Sequence, residues 1–387
     1  MDNDHYLQRF QVQYTYPVHF ARGVLDVDND LLMTVIDRLH ENRRHRVMVF
    51  IDSGVVEARP GIVDAVNRYF AARSGTLDLV CAPETVPGGE RSKNDGRVAE
   101  TVMERIAGQH LCRQSVVLAI GGGSALDIIG LAAALVHRGV RLVRMPTTVL
   151  AQNDSAVGVK NGIDAHGVKN FAGTFAPPFG VLIDSDFLDT LDDKYWVGGV
   201  AEAYKIAIIK DPPFFAYLCS HAQAIRDRDA SVMEQVVRRT AILHLEHIAS
   251  AGDPFEFGSA RPLDFGHWSA HRLEILSGYG IGHGQAVAIG IALDSCYAHR
   301  TGLLSRAEQD SILGALRTTG LPVWSALLER KTPDGTPEVI QGLRDFQEHL
   351  GGELRVTLPD GIGAKQEVTR MDLSILLDAI AFLKDHP

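Results

Sequence analysis

The chain has 387 residues, enough for two domains and a large core, and its 45% hydrophobic and 22% charged content is that of an ordinary globular protein. A formal net charge of −10 argues against a nucleic-acid surface, and no apolar run reaches the length of a membrane span. The polar, acidic start MDNDHYLQRF resembles neither a signal peptide nor a transit peptide, and the scattered Cys81, Cys112, Cys219 and Cys296, with no CxxC, read as reduced thiols of a cytoplasmic protein.

In chain order, the alternating piece QVQYTYPVHF (11–20) predicts a strand, and 30–40 a helix. VMVFI within 46–55 is a buried strand ending in Asp52, a carboxylate placed to hold a ribose hydroxyl or simply to cap a turn. A helix over 61–73 and the strand LDLVCA lead to VPGGERSKND, where Glu90 and Lys93 belong either to a ligand loop or to a solvated one. After a helix over 95–106, the strand SVVLAI runs into GGGSALDIIGLAAALVHRG (121–139). Three glycines at the start of a small-residue helix form a phosphate cradle, because they allow close backbone approach and the helix terminus presents free N–H groups. The pattern is neither GxGxxG nor a Walker sequence, so it suits a dinucleotide pyrophosphate outside the usual Rossmann register.

The strand RLVRMP ends in Thr147 and Thr148, and Asp154, Lys160, Lys169 and Asn170 follow in a Gly-rich stretch expected to be irregular. Such residues among glycines favour an anion or polyol site over loop solubility. VLIDSDFL closes this half as a last strand. From 192 onward helix-like segments dominate (200–209, 230–249, 269–276, 286–300, 307–317, 337–349), with a short strand pair expected at 352–363. The expected organisation is therefore a Rossmann-like α/β domain over 1–191 and an all-α domain over 192–387.

The stretch 263–294 carries His267, His271 and His283. His267 and His271 share a helix face, and Glu202 lies upstream with Lys205 one turn beyond it. Two histidines and a carboxylate leave an open position suited to a catalytic divalent metal; an ordinary polar helix pair is the alternative.

The motifs PGGERSK, GGGSALDIIG, RMPTTVLAQNDSAVGVKNGID, KNFAGTFAPP, VLIDSDFLDTL, GGVAEAYKIA and LDFGHWSAHRLE…GHGQAVAIGIALD together resemble the dehydroquinate synthase-like sugar phosphate cyclases over nearly the whole chain. The resemblance implies an NAD-binding domain, a helical metal-binding domain, and a homodimer acting on a small sugar phosphate. It implies a carbon–oxygen lyase that uses NAD transiently with zinc or cobalt. By motif position, the metal ligands would be Glu202, His267 and His283. NAD contacts would fall at Asp52, Glu90, Lys93, Gly122, Gly123, Asp127, Thr147, Thr148, Lys160, Lys169, Phe187, Thr190 and Leu191. Catalytic or substrate contacts would fall at Asp154, Lys160, Lys169, Asn170, Lys205, Asp264 and His271, with Lys210 a further candidate and Arg138 reaching the neighbouring subunit's site.

Departures from the dehydroquinate synthases bear on the substrate. The Tyr after their Ala-Glu-x-x-Lys is Ile206, no lysine occurs within 243–256, their arginine is displaced to Arg261, their Asn is Asp264, and their late Asp-Lys-Lys is Asp345-Phe346-Gln347. A buried carboxylate without partners costs several kcal/mol, so this loss of cations points to a substrate lacking one. The implied substrate is sedoheptulose 7-phosphate. His271 replaces the Pro typical of 2-epi-5-epi-valiolone synthases, and LDFGHWSAH, QNDSAVGVKNGI and EHLGGEL look more like the 2-epi-valiolone synthase branch. Gln285 stands where most relatives have Glu, which removes an expected carboxylate beside the metal site. The rival readings are dehydroquinate synthesis, a metal-dependent alcohol or glycerol-phosphate dehydrogenase, and a non-catalytic ligand-binding relative.

Overall fold

The computed structural model describes residues 5–166, 168–250, 255, 262–349 and 352–386. Strands β1 (Val18–Ala21), β2 (His45–Asp52), β3 (Leu77–Leu79), β4 (Glu84–Val86), β5 (Val116–Gly121) and β6 (Arg141–Pro146) precede an antiparallel hairpin of β7 (Lys160–Ala165) and β8 (Val168–Phe175). β9 (Gly180–Asp184) then completes a wholly parallel sheet of order β1-β9-β6-β5-β2-β3, in which β4 also pairs with β2, beyond β3.

Both faces of this sheet are covered, as a parallel sheet requires. Successive side chains alternate sides: Val47, Val49 and Ile51 of β2 join one core with Val66 and Phe70 of the helix Ile62–Ala72. Met48 and Phe50 join the other, with Leu126 and Ile129 of the helix Gly123–Leu135. The second core continues without a break through Val149 and Ala151 into Val200, Tyr204, Ile289 and Leu316, so the helical half packs on one face of the sheet.

The chain leaves β2 outward to β3 and β4, then returns to β5 on the other side. This reversal opens a crevice beyond the carboxyl ends of β2 and β5, where Asp52 and Gly121 stand, and such crevices are where open α/β sheets bind ligands. A Cβ on Gly121 would lie 2.8 Å from the Cβ of Asp52, so only glycine permits the approach.

Three expectations need correction. Of 11–20, only the end joins a strand; Val12 and Tyr14 are exposed, with no described partner strand to cover them. The stretch after Thr148, read as irregular, is a π-turn (Ala151–Ser155) and the β7–β8 hairpin. Its organiser is fully buried Arg144, which donates to the carbonyls of Ala156, Gly158 and Lys160 and to Asn161 Oδ1. The late strand pair exists, but its second strand lies beyond the expected range: β10 (Val356–Pro359) pairs with β11 (Lys365–Val368), so the helical half is not all-α. The helices Pro212–Arg226 and Leu373–Asp385 went unread in the sequence.

In the helical half, Gly284 and Gly290 set the spacing of the helix His283–Arg300 against its neighbours. A Cβ at either would fall 1.9 Å from a carbonyl oxygen, of Gly198 and Gly266 respectively. Gly290→Ala should therefore destabilise the fold by about 1–3 kcal/mol. Gly314→Ala, within a helix and facing open space, should stabilise it by about 0.5–1 kcal/mol. Denaturant midpoints of the two variants check both signs.

Candidate active site

Glu202 lies on the helix Val200–Lys210 with its side chain 1% exposed. His267 opens the helix His267–Leu276 and His283 opens the helix His283–Arg300. Glu202 Oε1 is 3.4 Å from His283 Nε2 and 3.6 Å from His267 Nε2, and one ligand atom from each residue lies within 4.8 Å of the others. Ligands bonded at ~2.1 Å to one tetrahedral ion stand roughly 3.4 Å apart, so this spacing fits a single divalent cation. Neither Glu202 oxygen has a hydrogen bond of normal geometry, although the Lys205 ammonium is in ionic contact with Oε2. Burial disfavours the Glu202 carboxylate, but Lys205 and the two imidazoles hold its pKa well below the usual range.

Both imidazoles are aimed by bonds on their far side. His267 Nδ1 donates to the Phe265 carbonyl at 3.1 Å and His283 Nδ1 to Glu274 Oε2 at 3.0 Å, which turns each Nε2 toward Glu202. The carboxylate behind the histidine is thus Glu274, which the sequence reading did not single out. Its signal was helical phase, three residues after His271 and seven after His267. Gln285, where that carboxylate was expected, instead caps its helix, with Oε1 accepting from Gly282 N at 2.9 Å. Buried Asp294 accepts from Gly266 N at 3.0 Å and Trp268 Nε1 at 2.8 Å, bracing the start of the helix that carries His267.

Lys205 is buried and its charge faces Glu202, Asp154 and Asp264; burial opposes the ammonium, but these carboxylates raise its pKa and keep it protonated. Asp154 meets His244 Nδ1 at 2.5 Å. Burial works against the Asp154 carboxylate, yet His244 and Lys205 bring its pKa down to about 2. His244, on the helix Ala230–Ser250, was also missed, since nothing in its local spacing marks it. The rings of His271 and His267 are 5.5 Å apart, and those of His271 and His283 6.0 Å. Burial and nearby Lys169 push the His271 pKa well below its ordinary value, so its ring is neutral.

Lys169 Nζ bridges Glu274 Oε1 at 2.7 Å and Glu90 Oε1 at 2.9 Å. Ser124 Oγ donates to Glu90 Oε2 at 2.5 Å, and Lys93 Nζ reaches Asp127 Oδ2 at 2.8 Å and Asn170 Oδ1 at 2.6 Å. These contacts gather the Glu90 loop, the hairpin and the first turns of the helix Gly123–Leu135. At the cradle, a Cβ on Gly122 would lie 3.4 Å from Thr148 Cγ2, and one on Gly123 2.8 Å from Ser155 Oγ. Thr147 N bonds the Gly121 carbonyl at 3.0 Å, tying β6 to the same end. Asp52 accepts from Gly54 N at 2.8 Å and Gly122 N at 3.3 Å, the turn-capping role of its two readings. Phe187 is buried beneath the Arg59 guanidinium, Thr190 Oγ1 donates to its carbonyl at 3.3 Å, and the Leu191 carbonyl accepts from Arg228 at 2.8 Å.

Three candidates are exposed. Lys160 is exposed where the hairpin begins. Arg138 is exposed in a left-handed turn at the far end of the helix Gly123–Leu135, about 20 Å from the cradle by helical rise. Lys210 is exposed at the end of its helix, facing Lys365 rather than Lys205. Arg261 lies outside the described residues, as do parts of 243–256 and 348–354.

Burial opposes a charged His283, but Glu274 and Glu202 outweigh it and raise the pKa to about 9. Below that pH a cation must displace the proton, so zinc affinity should fall about tenfold per pH unit. Competition with a chromogenic chelator across neutral pH measures this, and a flat profile would remove His283 from the ligand set. Glu202→Gln should weaken zinc binding by more than about 100-fold in the same assay.

Residues 84–197 match the 3-dehydroquinate synthase N-terminal family and 199–341 the 3-dehydroquinate synthase C-terminal family. The chain is 32% identical to a 3-dehydroquinate synthase of Acidithiobacillus ferrooxidans over 353 residues, 91% of each chain. It is 33% identical to a 2-epi-5-epi-valiolone synthase of Actinoplanes sp. over 369 residues, 93% of this chain and 88% of the relative. A 2-epi-5-epi-valiolone synthase from Streptomyces hygroscopicus subsp. jinggangensis, solved with NAD+ and Zn2+ bound, superposes with a TM-score of 0.87 at 28% identity, covering 99% of this chain and 100% of that one. With the cation-fitting cluster, the phosphate cradle and these similarities together, the chain belongs to the dehydroquinate synthase-like sugar phosphate cyclases.

Proposed function

We propose that the protein converts sedoheptulose 7-phosphate to a seven-carbon cyclitol, with loss of phosphate and no net oxidation, as an NAD- and divalent-metal-dependent cyclase. The observation that carries this choice of substrate is the charge around Lys205. Asp154 and Asp264 face it, and no lysine occurs within 243–256 to receive a substrate carboxylate. A hydroxymethyl group is neutral and can donate to these carboxylates, whereas a carboxylate would meet like charge.

Glu202, His267 and His283 would hold the metal, and the strand-end crevice with Gly122, Gly123, Glu90, Lys93, Asp127, Thr147, Thr148 and Phe187 would hold NAD. When bound, these groups supply carbonyl polarisation and a reversible hydride acceptor. The chain's own residues orient and charge the site. Lys205 keeps its proton and so acts as a fixed cation and hydrogen-bond donor. Asp154 is ionised, and through His244 it forms a pair able to take and return a hydroxyl proton. His271, at the position where 2-epi-5-epi-valiolone synthases typically place Pro, together with the motifs that resemble the 2-epi-valiolone synthase branch, supports 2-epi-valiolone as the product. Lys160, Lys169 and Asn170 offer donors to phosphate and hydroxyl groups. We place the domain divide at 191/192 and read the enzyme as a cytoplasmic homodimer in which Arg138, far from its own cradle, serves the partner's site.

Incubation with NAD and zinc should release phosphate from sedoheptulose 7-phosphate and not from the carboxylated seven-carbon substrate of dehydroquinate synthase, with NMR identifying the cyclitol epimer. Release from the carboxylated sugar alone overturns the substrate assignment in favour of dehydroquinate synthesis. Net NADH accumulation favours a dehydrogenase. Separately inactive Arg138→Ala and Lys160→Ala chains should regain part of their activity as a verified mixed dimer, which carries one intact site; no recovery places Arg138 outside the partner's site.

A further inference from the structure

Glu274 is a buried carboxylate at the cation-fitting cluster whose two oxygens are committed to different halves of the site. Its side chain is 1% exposed; Oε2 accepts from His283 Nδ1 at 3.0 Å and Oε1 from Lys169 Nζ at 2.7 Å. Lys169, itself 7% exposed at its side chain, is shared with Glu90 Oε1 at 2.9 Å. Glu90 Oε2 in turn receives Ser124 Oγ at 2.5 Å, in the first turn of the helix that begins at the glycine cradle. Four side chains thus join His283 to the phosphate cradle through contacts of 2.5–3.0 Å, and the Glu274–Lys169 link at its centre is shielded from water.

We infer that Glu274 is a positioning residue through which metal occupancy raises the affinity for NAD, and NAD occupancy the affinity for metal. A divalent cation held at His283 Nε2 would carry more positive charge than the proton it displaces, and would draw the Glu274 carboxylate toward His283. The bond to Glu274 Oε2 tightens, and the carboxylate's charge shifts away from Lys169. Lys169, held less firmly on that side, is freer to turn its ammonium toward an anion at the cradle. The sharing is mutual: an anion that draws Lys169 away leaves Glu274 more fully available to His283. Affinity changes of this kind are reciprocal by thermodynamic necessity, commonly about 5- to 150-fold.

This inference rests on the proposed NAD and metal sites, and the test separates the two. NAD binding to the full chain is titrated calorimetrically after chelator treatment and after zinc loading. The dissociation constant should fall by about 5- to 100-fold with zinc, and zinc affinity with and without NAD should change by the same factor. In Glu274→Gln, which keeps the shape and removes the charge, NAD should still bind but the two constants should agree within about twofold. A purely structural role would weaken both affinities and leave their ratio intact, which overturns the inference. So does a wild-type ratio near one, which needs no variant. If Glu274→Gln fails to fold by its melting curve, Ser124→Ala breaks the far end of the chain without removing a charge and should reduce the ratio; an unchanged ratio overturns the inference. Absence of NAD binding in both states overturns the cofactor reading and this linkage together.

Discussion

A carboxylate buried to near-completeness has to be neutralised, and Glu202 is neutralised by three groups from three segments of the chain. Lys205 comes from its own helix, while His267 and His283 open two others. Removing one partner of such a buried cluster typically costs about 3–5 kcal/mol, because the remaining charge is stranded. The same crowding that makes Glu202 costly to bury would suit it to a cation, since an ion can supply the compensating charge. Stability and metal affinity therefore draw on one set of contacts, and the packing around the cluster is close enough to require glycine at 284 and 290.

From that cluster a line of charges runs to the parallel sheet. Glu274, Lys169 and Glu90 alternate in sign, and Lys93 with Asp127 and Asn170 adds a parallel branch. Each charge is satisfied by the next, so the line survives burial that an isolated ion would not. The β7–β8 hairpin supplies Lys169 and Asn170, and Arg144 holds the backbone before it by gathering carbonyls rather than carboxylates. A structural arginine in the sheet core thus sets where the site's lysine can stand.

The proposed choice of substrate rests on the polar pocket beside the cluster. Asp154, His244, Lys205 and Asp264 form a small network with more acceptors than cations. Such a network offers partners to hydroxyl groups, and a substrate anion at that corner would face repulsion. Burial and Lys169 hold the pKa of His271, beside the same cluster, well below its ordinary value.

The sequence by itself determined much of this. Most strands of the sheet announced themselves as short β-branched runs and the cradle as glycines before a small-residue helix, because these signals are local and periodic. The set Glu202, His267 and His283 came from the family resemblance, the local His-x3-His spacing pairing His267 with His271 instead. The sequence was silent where the governing contact joins distant segments. Asp154 is paired by His244 from a helix packed across it, and neither position betrays the other along the chain. Gln285 read as a lost carboxylate, yet the fold supplies that charge from Glu274 on a neighbouring helix and uses Gln285 as a cap. The hairpin at 160–175 lacked a strand's hydrophobic alternation because it is held by the buried guanidinium of Arg144 and by helix packing. Local pattern sets which elements form, but the partner of a buried charge is whatever residue the tertiary packing brings within hydrogen-bond reach, and only the folded chain decides that.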